Sequence, residues 1–364
     1  MNAVKSILIL LNLKTILIFL CFFTVTPSSI GTAQKLSPAP PIVLQLETEI
    51  SLRDLDWNFD STLLAFVDAD QDVTIINIQT GELDLRLKQV EGGRLAARNV
   101  AWSSTTNHLL IVNNVTKLWN YDESTLVDGF DFPAAITEDY TPVGNVDWHP
   151  TVNRFAILLR ECEEGTPYRP GARVEIWDIS TSTFTQIAGC VSRGYGLVKW
   201  NPQGTELAIN GFQVFNNEAF VESEEIEIWN VDTRERNLTI PDLKNPSGLA
   251  WSPAGNMIAF TTLIGVNQFI QVRDANNGEI ISQMEVVLGV NVPLDWHPSG
   301  NFIVTGGQDG IVRIWNALTG LQLIELPVHE DTVNDVSWSP DGNMLASVGR
   351  DGRLFIWSLP ELLQ

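Results

Sequence analysis

Basic residues are scarce in this chain: 22 Lys and Arg stand against 44 Asp and Glu over 364 residues, a formal net charge of −22. No run of Lys or Arg relieves that balance. Nucleic acid and anionic lipid headgroups both need a positive face to displace their counterions, so neither is expected as a partner. Cysteine is scarcer, with 3 residues, and histidine has 4. Neither falls at the short spacings of a zinc site, and no G-x-S-x-G elbow occurs. The expectation is a protein that is not an enzyme, with no metal and no cofactor. A membrane-spanning run is missing too. The apolar stretch Ile16 to Val25, cut off by Lys14, falls well short of the roughly 20 residues a spanning helix needs.

That stretch belongs to a first segment unlike the rest. Residues 1–33 hold no acid and two lysines, Lys5 and Lys14, with Gly31 and Ala33 before Gln34. A charged start, an apolar centre and small residues at −3 and −1 describe a secretory signal peptide cleaved after Ala33, with retention as a membrane anchor the alternative. Cys21 does not make it a lipoprotein signal, because Leu20 precedes it where a small residue is expected. The mature protein is then extracytoplasmic, secreted or periplasmic, and does not insert in the membrane. Residues 34–41 are too proline-rich for regular structure and read as a short stiff linker.

What is plentiful is tryptophan, 12 in all, and its spacing is periodic. Seven of them close an aliphatic-x-Trp pattern, at Trp57, Trp102, Trp148, Trp200, Trp251, Trp296 and Trp338. The intervals are 45, 46, 52, 51, 45 and 42 residues. A period of about 40–45 residues with four strands per unit is that of propeller blades. Each unit repeats its interior. A Pro- and Gly-bearing turn follows the Trp, as in Trp296-His-Pro-Ser-Gly300 and Trp338-Ser-Pro-Asp-Gly342. Proline fixes φ there and glycine supplies the left-handed position. A later strand ends in Ile-Trp, at Trp177, Trp229, Trp315 and Trp357. Few residues remain after Trp357, so the last unit lacks its outer strand. The alternating segment Ile42–Glu47 is expected to supply it and close the ring, which removes open edges. The fold class is all-β: a seven-bladed propeller of four-stranded antiparallel blades spanning 42–364.

On these residues the chain resembles the WD40 repeat family. The seventh repeat carries the likeness furthest, with His329, Trp338, Ser-Pro-Asp-Gly at 339–342, Ser347, Asp351 and Trp357. The resemblance implies that His329, Ser347, Asp351 and Trp357 form a hydrogen-bonded network inside the blade. Buried polar groups are tolerated when satisfied, and a closed network meets that condition. The sixth repeat keeps Thr305, Asp309 and Trp315 but has no His, and the first five lose most of the set. The segment Trp251–Phe260 also resembles TolB-like propellers of bacterial envelopes, which makes a ligand-binding or hydrolytic channel the rival reading.

The histidines do not converge. His149 and His297 follow the innermost Trp of blades three and six, His108 lies in the matching turn of blade two, and all four read as structural. Asp68-Ala-Asp70-Gln-Asp72 lacks the glycine and distal Glu of a calcium loop; Asp70 aligns with Asp309 and Asp351 at a hairpin. Asp56, Asp147 and Asp295 share one position on the innermost strands and are expected to line a hydrated channel, opposed by Lys199. Cys162 and Cys190 both fall in blade three, on strands about 9–10 Å apart. That separation exceeds disulfide reach unless the loops close it, so a bridge and two free thiols both stay open.

The two longest units place their excess in equivalent loops on adjacent blades, 161–172 and 211–223. The first holds Tyr168 and Arg169, the second Phe212, Phe215 and Phe220. Aromatics and Arg are the types enriched at binding hot spots, and loops on a rigid scaffold commonly carry function. The reading is a monomeric, non-catalytic interaction scaffold that binds a protein partner there. The competing reading has the phenylalanines packing an extended hairpin onto its neighbour.

Overall fold

The computed structural model describes residues 40–87, 99–112, 116–127, 142–162, 170–191, 196–210, 214–216, 219–221, 225–241, 243–244, 247–265, 267–286 and 292–359, with two short strands at 9–11 and 16–19. Among these residues there is no helix. Seven antiparallel blades of four strands form the ring, six of them in simple inner-to-outer order along the chain. Blade one shows the plan: Leu52–Trp57 is innermost, then Leu63–Asp68, Val73–Asn77 and, outermost, Leu83–Leu87.

The seventh blade is completed from the other end of the chain, as the short last unit requires. Ile42–Glu47 pairs antiparallel with Arg353–Ser358, placing Leu44 opposite Ile356 and Leu46 opposite Leu354. The strands Ile9–Leu11 and Ile16–Phe19 extend this sheet further outward.

The core is not one mass but a series of apolar layers between neighbouring blades. One layer joins Leu55, Trp57, Leu64 and Phe66 of blade one to Ala346, Val348, Leu354 and Ile356 of blade seven. Another joins Ala156, Leu158, Val174 and Ile176 of blade three to Trp200, Leu207 and Ile209 of blade four. This is why the strands read as almost continuously apolar. Leu63–Asp68 is buried throughout, since a blade has a neighbour on both faces.

Candidate functional site

Blade seven brings its candidate residues together. The imidazole of His329 accepts at Nε2 from the Ser347 hydroxyl at 2.7 Å and donates from Nδ1 to Asp351 at 3.0 Å. Asp351 also accepts from the backbone N–H groups of Glu330 and Arg353. Burial works against its charge, but these bonds outweigh it and hold the carboxyl below its ordinary range. Trp357 joins by packing: its ring stacks on Phe355 at 5.8 Å, and His329 meets Phe355 edge-on at 4.9 Å. Gly349 is required here by close approach, for a Cβ would lie 2.3 Å from His329 Nδ1.

Blade six solves the same problem without a histidine. The indole N–H of Trp315 donates to Thr305 Oγ1 at 3.0 Å, and Asp309 pairs with Arg313 at 2.6 Å. Blades three and four use a residue the sequence pattern had not singled out, a glutamate two places before the Trp. Trp177 donates to Glu175 and Trp229 to Glu227, each at 2.8 Å. Blade five keeps the geometry with other side chains, as Arg273 donates to Gln271 at 2.8–2.9 Å. The legible signal is Glu-Ile-Trp, since neighbours at i and i+2 on a strand share one side of it. In blade one, Asp68 and Asp72 hold Arg86. Asp70, at the hairpin matching Asp309 and Asp351, takes no part in that pairing.

The candidate interaction face carries the hairpins between second and third strands. In blade three these strands are Arg154–Cys162 and Pro170–Asp178, and in blade five Met257–Ile264 and Asn267–Asp274. Between them blade four adds a separate hairpin, Val214–Asn216 with Ala219–Val221, in which Phe215 is the register partner of Phe220. Tyr168, Arg169 and Phe212 lie outside the described residues, as do the side chains of Phe215 and Phe220. Cys162 ends the second strand of blade three and Cys190 lies on the outer strand, with the third strand between them. Their side chains are likewise outside the described residues.

The model described as "WD domain, G-beta repeat" matches residues 289–316 and 320–358. Its second match ends on the strand that carries Trp357 and spans the His329–Ser347–Asp351 network. The chain is a WD40-repeat protein. That match also begins at the outer strand of blade six and stops at the third strand of blade seven, so a WD40 repeat is offset from a blade by one strand. The offset is the reason an N-terminal strand must complete the ring. The chain is 28% identical over 103 residues to F-box-like/WD repeat-containing protein TBL1Y of Homo sapiens, covering 28% of this chain and 19% of that protein. It is 22% identical over 229 residues to Anaphase-promoting complex subunit cdc20 of Dictyostelium discoideum, covering 61% and 40% respectively. With Periodic tryptophan protein 2 homolog of Mus musculus it shares 32% over 93 residues, covering 26% and 10%. The chain thus spans two fifths or less of these relatives' length.

The acids expected to line the WD40 channel have a more specific place. Asp56 accepts from the backbone N–H of Trp102 in the next blade at 2.7 Å, Asp147 from Trp200 at 2.7 Å, and Asp295 from Trp338 at 2.8 Å. Each carboxylate staples its blade to the following one. Lys199 donates to Asp147 at 2.9 Å. Burial opposes its charge, but Asp147, Asp56 and Asp295 outweigh burial and hold it above its ordinary value. Burial pushes Asp56 up to about 7, against the pull of Trp102 N–H and Lys199. Asp335 is pushed up to about 7 in the same way, and Asp54 is raised well above its usual range by burial and then by Asp335. Asp335 bonds Leu55 N–H and Asp54 bonds Val100 N–H, a second tier of staples.

His149 and His297 serve the same seams. Nε2 of His149 donates to the Gly204 carbonyl at 3.1 Å, and Nε2 of His297 to that of Gly342 at 3.0 Å. In both, Nδ1 accepts backbone N–H groups of its own turn, so the neutral ring fits and burial lowers both pKa values. Among the described residues, no three His, Cys, Asp or Glu side chains are grouped to hold a metal ion.

Proposed function

We propose that this chain is a non-catalytic protein-interaction scaffold, exported from the cytoplasm by residues 1–33, that docks its partner on the face bearing the long hairpins. The observation that carries this reading is the unequal height of that face. Blades three and five have second and third strands of 8–9 residues and blade four inserts an extra hairpin, whereas the equivalent strands of blades one, two, six and seven have 4–6. A packed ring does not need the extension, because neighbouring blades meet through their apolar layers. A raised wall on a rigid scaffold is the form a recognition surface takes. The Dictyostelium discoideum relative is named as a subunit of a complex, which agrees with an assembly role. Support for export comes from the leader's charge and apolar pattern.

The alternative, a TolB-like or other ligand-binding or hydrolytic propeller working through its channel, finds the channel acids already engaged by backbone N–H groups and Lys199. The test is affinity capture from the native extracytoplasmic fraction, comparing intact protein with a form shortened in 161–172 and 211–223. A specific protein retained by the intact form and lost by the shortened one is the expected outcome. No retention, together with small ligands or cations that raise the melting temperature, would move the site to the channel. Amino-terminal sequencing of the exported form should begin at Gln34; recovery of the intact protein in the cytoplasm would refute export.

A further inference from the structure

We propose a second docking surface, at the outer corner where blades five and six meet, for a protein segment that combines apolar residues with Lys or Arg. The turn between third and outer strands is a repeated element, so each blade supplies a control for the others. Its two outward positions in blade six are Leu318 and Leu321. The same positions hold Asn276 and Glu279 in blade five, Gln79 and Glu82 in blade one, and Ser180 and Thr183 in blade three. Blades two and four likewise carry Asp122 and Thr125, and Asp232 and Glu235. Only blade six among these six turns is apolar at both. Packing does not account for it, since Leu318 is 53% exposed and Leu321 64%.

The turn lies against the outer strand of blade five. Ser282 Oγ bonds the Ala317 carbonyl, and a Cβ on Gly320 would lie 3.1 Å from the Gln283 carbonyl oxygen. Just before Ser282, that strand presents Ile280, 52% exposed, and Ile281, 39% exposed. The three described large apolar side chains that are more than half exposed are therefore all at this corner. Scattered single apolar residues on a surface need no explanation, but a cluster marks an interaction site.

Charge identifies the occupant. Neither segment 276–286 nor 316–327 contains Lys or Arg, while Glu279, Glu285 and Glu325 are exposed along them. The nearby bases are engaged: Arg313 with Asp309 and Glu325, and Arg273 with Gln271 and the Gly278 carbonyl. An apolar cluster framed by acids attracts a segment carrying apolar anchors and basic side chains. These turns lie on the face opposite the long hairpins, since successive strands alternate in direction, so this surface stands independently of the first.

The test is a titration of the full chain, followed by fluorescence anisotropy, with a short acetylated peptide of alternating Leu and Lys. The expected result is binding that weakens about tenfold in a Leu318→Asn/Leu321→Glu variant, which copies blade five and preserves the turn. Glu279→Gln/Glu285→Gln should weaken it less and flatten its salt dependence, and Phe59→Asn, at a distant exposed aromatic, should leave it unchanged. The proposal is overturned if the first variant binds the peptide as wild type does, or if a Leu-Glu peptide binds equally well. It also falls if sedimentation shows a wild-type dimer that the variant loses, which would make a second copy the occupant.

Discussion

Three seams of the ring are closed by a carboxylate and three by an indole, though all use the same tryptophan position. At the seams from blade one to two, three to four and six to seven, Asp56, Asp147 and Asp295 take the backbone N–H of the next Trp. At the seams two to three, four to five and seven to one, the next Trp donates its indole N–H to a carbonyl: Trp148 to Ala101, Trp251 to Lys199, Trp57 to Ser337. An Asp before the preceding Trp marks the carboxylate seams. There the carboxylate captures the backbone N–H, and the indoles of Trp102, Trp200 and Trp338 are buried without a partner. The seam five to six has neither bond. Ala250 stands where Ala101 does in the bonded seam two to three. Blades five and six are joined instead by Met284 and Val286 packed with Trp296 and Trp315, and by the bond from Ser282 Oγ to the Ala317 carbonyl. Repeats that look alike in sequence are therefore held by unequal means.

The sharpest way to break that comparison is at the turn glycines. Gly204 and Gly300 occupy equivalent turns with φ of 71° and 79°. A Cβ at Gly204 would lie 2.2 Å from His149 Nε2, whereas one at Gly300 would meet only Pro253 at 3.9 Å. Gly300→Ala should cost about 1–2 kcal/mol for left-handed backbone alone. Gly204→Ala should add about 1–3 kcal/mol of overpacking as His149 is displaced. Urea unfolding of both variants measures the difference; equal losses would mean that His149 does not close the seam. Next in size is Asp295→Ala against Ser337→Ala. The first strands the backbone N–H groups of Trp296 and Trp338 and should cost about 2–4 kcal/mol. The second keeps the carbonyl that Trp57 uses and should stay within about 0.5 kcal/mol. Smaller again is Trp148→Phe against Trp200→Phe. Both remove the same volume, but only the first loses a bonded indole, so thermal unfolding should separate them by about 1 kcal/mol.

The ring, its seven blades and its closing strand were all legible, because the Trp period and the turn chemistry depend on local residues that repeat. His329, Ser347 and Asp351 could be read because blade seven kept a familiar set. Glu175, Glu227 and the Gln271–Arg273 pair could not, since each substitutes a different group for one role, and only geometry shows that the role is filled. The seam function of Asp147 and His149 was half visible. Asp-Trp-His-Pro recurs in blades three and six, but the bonds it makes run to residues about fifty positions away. Leu318 and Leu321 were invisible for the opposite reason. An apolar residue in a repeat protein reads as core until its exposure is known.

The acids and the histidines of the seams titrate in opposite directions. Burial raises Asp56 and Asp335 to about 7, so between about pH 4 and 7 the folded ring retains protons that the unfolded chain has released. That contribution favours the fold at low pH and is lost as pH rises through 7. His149 and His297 have lowered pKa values and accept N–H bonds at Nδ1, so they contribute above about 6.5 and lose stability as pH falls below it. Asp56→Asn removes one acid from this balance. Its melting temperature relative to wild type should therefore rise from about pH 5 to about pH 7 and level off above it. The reverse slope is expected for His297→Gln, which keeps a side-chain donor toward Gly342 without a titrating ring. If both differences are flat across that range, neither Asp56 nor His297 titrates there.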